Sequence, residues 1–455
     1  MKKTFIEEKS RQTPILEETD AIVAGGGVAG IVAAIAAARN GARTILVEAN
    51  GFLGGTATAV PMPWIGGYVP EIHKGIIKEL LDKLEMNGGL GRRFFNPINN
   101  GFLVEIKVDV FKWVSLRMLE EAGANLLLHA WIADSIVENN RLKGIIIESK
   151  SGRQALLSKV IIDATGDGDV AARAGAAWQQ GRESDGKTQG MTLVGPVMEN
   201  TNNDELWRFL REYKKNHPKD IADFIEDRLP LFVASGFTGL LKTARAKGDL
   251  YLDYDTIWIN GTLGTDRAEI GGSFVAGVDG TNVRDLTFAE VESAKQLASL
   301  VGFAKKYIPG FANSRRTDRG SVSIGVRETR RVIGEYIFTE EDALKSRRFD
   351  DVIAKNRAPM DMHNPEGQNY TTLKDDYDVP YRCLVPEKTD NLLVAGRCIS
   401  VTHKALASVR FMPCCMATGQ ACGTAAALAV KTNTIPRRIN IGELQAALRQ
   451  QGVVI

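Results

Sequence analysis

IVAGGGVAGIVAAIAAARNGARTILVE, residues Ile22–Glu48, is the stretch on which the fold turns. It continues from Ala21 in an apolar run, Ala21–Ala24, whose unbroken hydrophobicity predicts a buried strand. Gly25, Gly27 and Gly30 follow in the spacing G-x-G-x-x-G, then an Ala- and Ile-rich run of helical character, then a second strand, Thr44–Val47, ending at Glu48. Gly25 permits the tight turn, Gly27 lets the backbone approach a pyrophosphate, and Gly30 allows helix to pack closely on strand. The helix start at Val28 and Ala29 offers unpaired N–H groups and a positive dipole end to phosphate. Glu48, followed by Ala49, can accept hydrogen bonds from ribose hydroxyls and would repel a 2′-phosphate. The glycine spacing alone is weak in a chain with 45 glycines, but strand, helix, strand and acid occur here in order. The stretch reads as an adenine-dinucleotide site.

A chain of 455 residues with 44% hydrophobic and 25% charged residues has room for two or three domains and an ordinary core. A net charge of +2 gives no reason to expect nucleic acid or an anionic membrane as partner. No apolar run resembles a membrane span or a secretory leader, which points to a cytoplasmic protein. The five cysteines, at 383, 398, 414, 415 and 422, contain no C-x-x-C pair, which argues against a disulfide scaffold, a zinc ribbon or an iron–sulfur motif, and no metal is expected.

Residues 1–20 read as a lead-in strand or exposed arm. Gly51, Gly54 and Gly55, with small Thr56, Ala57 and Thr58, make a segment that can lie close to the rest of the same cofactor or serve as a flexible loop. Pro61–Gly67 reads as a turn, and helices are expected over His73–Gly88 and Asp109–Ala122, the latter ending at Gly123. Strand-like runs follow at Asn125–Trp131, at Ser135–Val137 and Gly144–Glu148 around the turn Asn139–Asn140, and at Val160–Ile162. The last leads into DATGDGD, residues 163–169, where Thr165 and Gly166 are small enough to lie against a bound cofactor. Asp169 reads equally as a cofactor contact or as the N-cap of a short helix, Val170–Ala174.

From about Gln179 to Asp351 the character changes, as expected for an inserted substrate domain. Asp204–Asn216 and Asp220–Arg228 look helical, Thr256–Ile259 and Phe274–Val278 look β-like, and Leu286–Tyr307 reads as one long helix opened by Thr287. Arg327, Arg330 and Arg331 occur in GVRETRRVIGEY, where helix or strand would put Arg327 and Arg331 on one face, for salt bridging or anion binding. Asn391–Ala395 is expected as a strand ending at Gly396-Arg397. Pro413 then starts a helix whose small residues, including Gly419, allow a close neighbour.

These blocks resemble the FAD-dependent oxidoreductases related to the flavin-binding part of heterodisulfide reductase, which share the flavoprotein fold of glutathione reductase and fumarate reductase. The likeness rests on the 17 residues between Gly30 and Glu48, on LGGTAT, DATGDGD and GVRETRRVIGEY, and on VAGRCIS followed by RFMPCCMATGQACGTAAA, across residues 22–425. It implies an α/β fold: a Rossmann-like FAD-binding domain with a parallel sheet and small β-meander, plus an inserted α+β substrate domain. The FAD-binding domain would comprise residues 1–178 and 352–455, with residues 179–351 inserted. The resemblance places the ADP part of FAD on the first glycines and Glu48, and the flavin side on Gly54–Thr58. Gly396 and Arg397 would meet the ribityl and phosphate region, and the helix near Met416, with Gly419 and Gln420, would face the ring. Ile132, Thr165, Gly166 and Asp169 complete the expected contacts. The cluster cysteines of heterodisulfide reductase are absent, as is a second G-x-G-x-x-G unit.

The expected activity is hydride transfer between a small organic substrate and FAD, with a separate electron donor or acceptor and with oligomerisation left open. His403 is the acid–base candidate, since an imidazole titrates near neutrality, and it reads equally as a structural histidine. Arg410 and Arg327 are candidates to hold a carboxylate or developing oxyanion. The competing readings are a flavin-carrying electron-transfer subunit that works with a protein partner, and a flavin monooxygenase.

Overall fold

The computed structural model describes residues 6–60, 64–96, 99–225, 230–317 and 321–455. The opening stretch forms the strand Ile15–Ala24, the helix Val28–Arg39 and the strand Thr44–Val47. These belong to a sheet in the order Asn125–Leu127, Thr44–Val47, Ile15–Ala24, Gly152–Asp163, and the first four strands are mutually parallel. The strand Gly152–Asp163 is long enough to serve two partners on its far side. Its first half pairs antiparallel with Arg141–Ser149, and its last residues pair parallel with Leu392–Val394. Arg141–Ser149 is joined to Trp131–Glu138 through Asn139 and Asn140, both at positive φ, a hairpin-turn geometry that asparagine tolerates. This is the expected α/β fold with its β-meander, a mixed sheet joined by a strand from residues 392–394.

A second sheet of six antiparallel strands runs in the order Ile221–Ile225, Leu231–Gly236, Ile257–Thr262, Arg267–Gly271, Val197–Glu199, Arg315–Arg316. It packs with the helix Val283–Tyr307 around its own apolar core, which includes Met191, Phe232, Ile259, Leu300 and Phe303. The larger core holds the first sheet and its helices.

Several local expectations change. Residues 221–225 are a strand, not a helix, because Ile221–Ile225 pairs with Leu231–Gly236, and sheet pairing outweighs the weak helical preference of a short charged segment. Residues 226–228 of that expectation lie outside the described residues, as do Pro61–Pro63 of the expected turn. The remainder of that turn is the strand Trp64–Tyr68, paired with Gly101–Ile106. Phe274–Val278 makes a single bridge, Val275 to Met191, rather than a strand. The long helix starts at Val283, capped by Asn282, whose side chain accepts from Arg284 and Asp285 N–H; Thr287 sits inside it and donates to the Val283 carbonyl.

The closing helix, Met412–Lys431, crosses the helix Val28–Arg39 at very short range. A Cβ on Gly419 would stand 2.2 Å from the Ala29 carbonyl oxygen, and one on Gly423 would stand 2.1 Å from that of Ala33. Glycine is needed because two backbones meet there. Gly423→Ala is therefore expected to destabilise the protein by about 2 kcal/mol, since forced overpacking exceeds the ~1 kcal/mol that alanine gains in a helix interior. A lowered apparent Tm checks this; an unchanged or raised Tm would show that the two helices separate freely.

Candidate active site

The glycine turn is built as the dinucleotide motif requires. Gly25 has φ +100°, and its N–H donates to the Val47 carbonyl at 2.8 Å. A Cβ on Gly30 would fall 1.8 Å from the Gly25 carbonyl oxygen, so helix and turn fit only with glycine there. Gly27 differs. As N-cap of the helix it has extended backbone, no side-chain cap and no acidic residue in the following turn. A Cβ added to it would meet nothing nearer than Gly55 Cα at 4.0 Å. An uncapped helix N-terminus with room beside it, Val28 and Ala29 just behind, has the geometry to cradle a phosphate.

Glu48 is buried at the end of the second strand, 8% exposed. Its Oε2 accepts from Gly26 N–H at 2.6 Å, and its Oε1 accepts from Asn50 N–H and Nδ2 at 2.7 and 2.8 Å. Oε2 keeps capacity for a ribose hydroxyl. Ala49 follows it, half-buried, and Ala130 N–H donates to the Glu48 carbonyl, which brings Ile132, two residues along, to the same end of the sheet.

The segment Gly54–Thr58 lies directly on the turn. Gly54 N–H donates to the Gly26 carbonyl at 2.8 Å, and a Cβ on Gly55 would strike Gly27 Cα at 2.9 Å. Thr56 is exposed at the start of a helical turn, whereas Thr58 is buried and donates to the Leu53 carbonyl at 2.6 Å, pinning the loop from inside. The flexible-loop alternative does not hold here.

In DATGDGD, Asp163 is fully buried; its carboxylate accepts from Thr165 N–H, Thr165 Oγ1 and Ala171 N–H, while burial pushes its pKa up to about 6. Gly166 has φ +79° and faces Arg397, whose guanidinium donates to Asp167 Oδ1 at 2.8 Å and to Thr329 Oγ1 at 3.1 Å. Asp169 is not an N-cap, since Gly168 takes that position; its carboxylate pairs with Arg173 and Arg330. Gly396, at φ +78°, donates to Thr418 Oγ1 and packs against Ala29 and Cys415. The turn, Gly396-Arg397 and the start of the closing helix therefore converge. Further along that helix the chemistry is structural: Gly419 packs on Ala29, and Gln420 Oε1 accepts from Ile76 N–H at 3.0 Å.

The candidate catalytic side chains form one connected, largely buried cluster where the second core meets these segments. Val322 and Ser323 N–H both donate to the Ala59 carbonyl, and Gly325 packs on Val60, so the loop carrying Arg327 rests on the glycine-rich segment. Residues 325–330 form neither the helix nor the strand expected; only Arg331–Val332 is a short strand, paired with Trp178–Gln179. Arg331 turns inward to Glu328 and to the carbonyls of Gly181 and Val401, whereas Arg327 donates to the Gly190 carbonyl and Thr192 Oγ1. The two arginines have different partners because the chain between them follows no regular repeat.

His403 Nδ1 lies 2.8 Å from Glu328 Oε2, and Glu328 is fully buried and also accepts from Gln189 N–H. The carboxylate fixes the proton of neutral His403 on Nδ1 and leaves Nε2 as the basic atom; Nε2 is buried with no partner among the described residues. Gly190, next to Gln189, takes the Arg327 bond and donates to the His363 carbonyl. His363 pairs with Asp361, which also accepts from Arg410. Burial, then the Arg327 charge, lowers His363 to about 4; burial works to raise Asp361, but its contacts with His363 and Arg410 outweigh this and hold it ionised. The sequence offered His403, Arg410 and Arg327. It gave no local signal for Gln189, Tyr254, Asp361 or His363, and Glu328 was legible only as a letter within GVRETRR.

A sequence profile described as FAD dependent oxidoreductase matches residues 20–448. Thiamine thiazole synthase from Aeropyrum pernix is 33% identical over 168 residues, covering 34% of this chain and 57% of that protein. Digeranylgeranylglycerophospholipid reductase 2 of Methanothermobacter thermautotrophicus is 31% identical over 167 residues, covering 34% of this chain and 42% of that protein. The chain thus spans about half the length of these curated relatives. Among solved structures, a geranylgeranyl bacteriochlorophyll reductase-like protein from Thermoplasma acidophilum aligns over 96% of this chain and 84% of its own, with TM-score 0.44 and 14% identity. A myxobacterial FAD-dependent halogenase aligns over 96% and 79%, with TM-score 0.46 and 15% identity. The cradle at Gly27, the buried Glu48 and the length of the profile match agree: the chain belongs to the FAD dependent oxidoreductase family.

Proposed function

We propose that this enzyme transfers a hydride between a small organic substrate and a tightly held FAD, with the substrate bound between the second core and the flavin-side segments. FAD supplies the redox chemistry when bound. Gly27, Val28 and Ala29 would hold its pyrophosphate and Glu48 a ribose hydroxyl. Gly54–Thr58, Thr165-Gly166 and Gly396-Arg397 would line its further course. His403 would take or return the substrate proton at Nε2, with Glu328 holding the ring in the required tautomer. Arg327 and Arg410 would orient the substrate.

The observation that carries this reading is a group of buried polar atoms around this cluster that lack partners among the described residues: His403 Nε2, both amide atoms of Gln189, Tyr254 Oη and Arg410 Nε. Buried polar groups are ordinarily paired, so several unpaired ones in one connected region mark a place for a polar ligand. We take residues 179–351 as the substrate domain and a second protein or small molecule as the electron partner. The ordered motif blocks also support kinship with the flavin-binding part of heterodisulfide reductase; among the described residues all five cysteines are buried and unbridged, and no group of side chains could hold a metal ion. No helix of the described residues is long and apolar enough to cross a membrane.

Anaerobic addition of small acids, sugars and amino compounds to the purified holoprotein should reveal at least one that bleaches the flavin band near ~450 nm. Bleaching only by a partner protein would favour an electron-transfer subunit. Reduced flavin that consumes oxygen with hydroxylation of the substrate would favour a monooxygenase.

A further inference from the structure

We infer that the substrate region is built for a small organic monocarboxylate, its carboxylate held between Arg327 and Arg410 and contacted by the Tyr254 hydroxyl. This rests on the proposed function above and names the substrate class of that same site.

The first argument is charge. Arg410 is paired with Asp361, to the backbone oxygen at 2.7 Å and to Oδ2 at 3.3 Å. Arg327 makes its hydrogen bonds to a carbonyl and a hydroxyl, and no carboxylate of a described residue lies within ion-pair distance of it. His363 is held neutral, and Glu328 is already matched by Arg331. Two guanidiniums therefore face one carboxylate, which leaves one positive charge to be met. An unmatched buried charge is costly for the protein alone and is relieved by one bound anion.

The second argument is geometry. Arg327 keeps accessible surface, yet burial and the facing Arg410 charge lower its pKa to about 10. A group that is both deep and accessible lines a cavity. Arg327 Nη1 makes both of these bonds, which leaves the other donors of the guanidinium without an acceptor among the described residues, and Arg410 Nε is buried without a partner among them. Planar donors on two guanidiniums suit the planar acceptor pair of a carboxylate. One wall is aromatic: Tyr254 stacks on Phe274 at 4.2 Å, and the Phe274 ring edge occupies the space where a side chain on Gly190 would be. Gly190 is the residue that holds Arg327, so the ring pair and the guanidinium share a backbone support. Tyr254 Oη and the side-chain amide of Gln189, a residue 1% exposed, are buried without partners among the described residues. A dianion would exceed the single available charge, and a cation would meet Arg327.

The test titrates the FAD-loaded protein with short-chain, hydroxy and aromatic monocarboxylates, each against its own amide, following ligand-induced thermal shift and displacement of the flavin band. At least one carboxylate should bind, and its amide should bind ~10-fold more weakly or worse. Arg327→Met should keep its FAD and lose carboxylate affinity by ~10-fold or more, and Arg327→Lys should retain an intermediate affinity. Should the methionine variant fail to fold, the lysine variant decides alone. Equal binding of acid and amide, undiminished binding in the lysine variant, or no carboxylate binding at all overturns the inference. If a neutral compound bleaches the flavin while carboxylates do not bind, the carboxylate site fails and the oxidoreductase reading stands. If carboxylates bind as described but no compound reduces the flavin, the site stands and the hydride-transfer reading fails.

Discussion

Gly27→Glu is expected to fold normally and to purify without FAD. A Cβ at Gly27 meets only Gly55 Cα at 4.0 Å, so the chain itself has room for the first atom of a side chain. The position is the N-cap of an uncapped helix, where a carboxylate favours the helix by ~0.3–1 kcal/mol through the dipole. The same carboxylate would occupy the phosphate cradle and repel the pyrophosphate it replaces. We expect FAD affinity to fall by ~100-fold or more, on the scale of losing several charge-assisted hydrogen bonds, with apo-protein stability not lowered. Flavin absorbance per mole of protein, read beside the circular dichroism spectrum, decides the matter. A yellow Gly27→Glu protein would remove the pyrophosphate from this turn. Gly30→Ala makes the contrast, since its Cβ would meet the Gly25 carbonyl oxygen at 1.8 Å and the fold itself should suffer.

The second large effect lies away from the chemistry. His73 is buried at 1% exposure, accepts from Val69 N–H through Nδ1 at 2.9 Å and stacks on Tyr68. Burial first, and the Arg357 charge second, push its pKa down from 6.5 to about 3. The unfolded chain therefore binds a proton between those values while the folded chain does not, so stability falls as pH falls through this window. The full loss is about 4–5 kcal/mol at ~1.36 kcal/mol per pH unit. His73→Gln keeps an acceptor for Val69 and removes the titration. Its stability should be lower than that of the parent at pH 7.5, and the gap should close or reverse near pH 4. Urea unfolding at several pH values checks this, and parallel pH profiles for the two proteins would overturn it.

The legible parts of this protein are those that covalent spacing dictates. Gly25, Gly27, Gly30 and Glu48 lie within one βαβ unit, so their order in the chain is their order in space. The closing helix was legible as a helix because Pro413 and a long run of small residues mark it. Which neighbour its glycines meet was not, since Ala29 and Ala33 lie nearly the whole chain away. The same distance hides Gln420, whose partner Ile76 is 344 residues earlier. The acid–base candidate was visible as a histidine, but its meaning depends on Glu328, 75 residues before it in a loop without periodicity. Tyr254, Gln189 and Asp361 come from three further segments, and nothing local distinguishes them from ordinary polar residues. Local patterns name the cofactor; the proposed substrate side comes together only once the two cores meet.

The strand Leu392–Val394 and the closing helix have a consequence for how the molecule is made. A ribosome delivers the glycine turn, Glu48 and DATGDGD long before it delivers Gly396 and the helix that seals against Ala29 and Ala33. Until then the strand Gly152–Asp163 lacks its partner at Ile161–Asp163, and the Ala-rich helix has an apolar face uncovered. Domains generally mature from the N-terminus as they emerge. Here the first sheet stays open at Ile161–Asp163 while the whole second core is translated between its two parts, so the nascent chain must keep a half-built α/β sheet from aggregating.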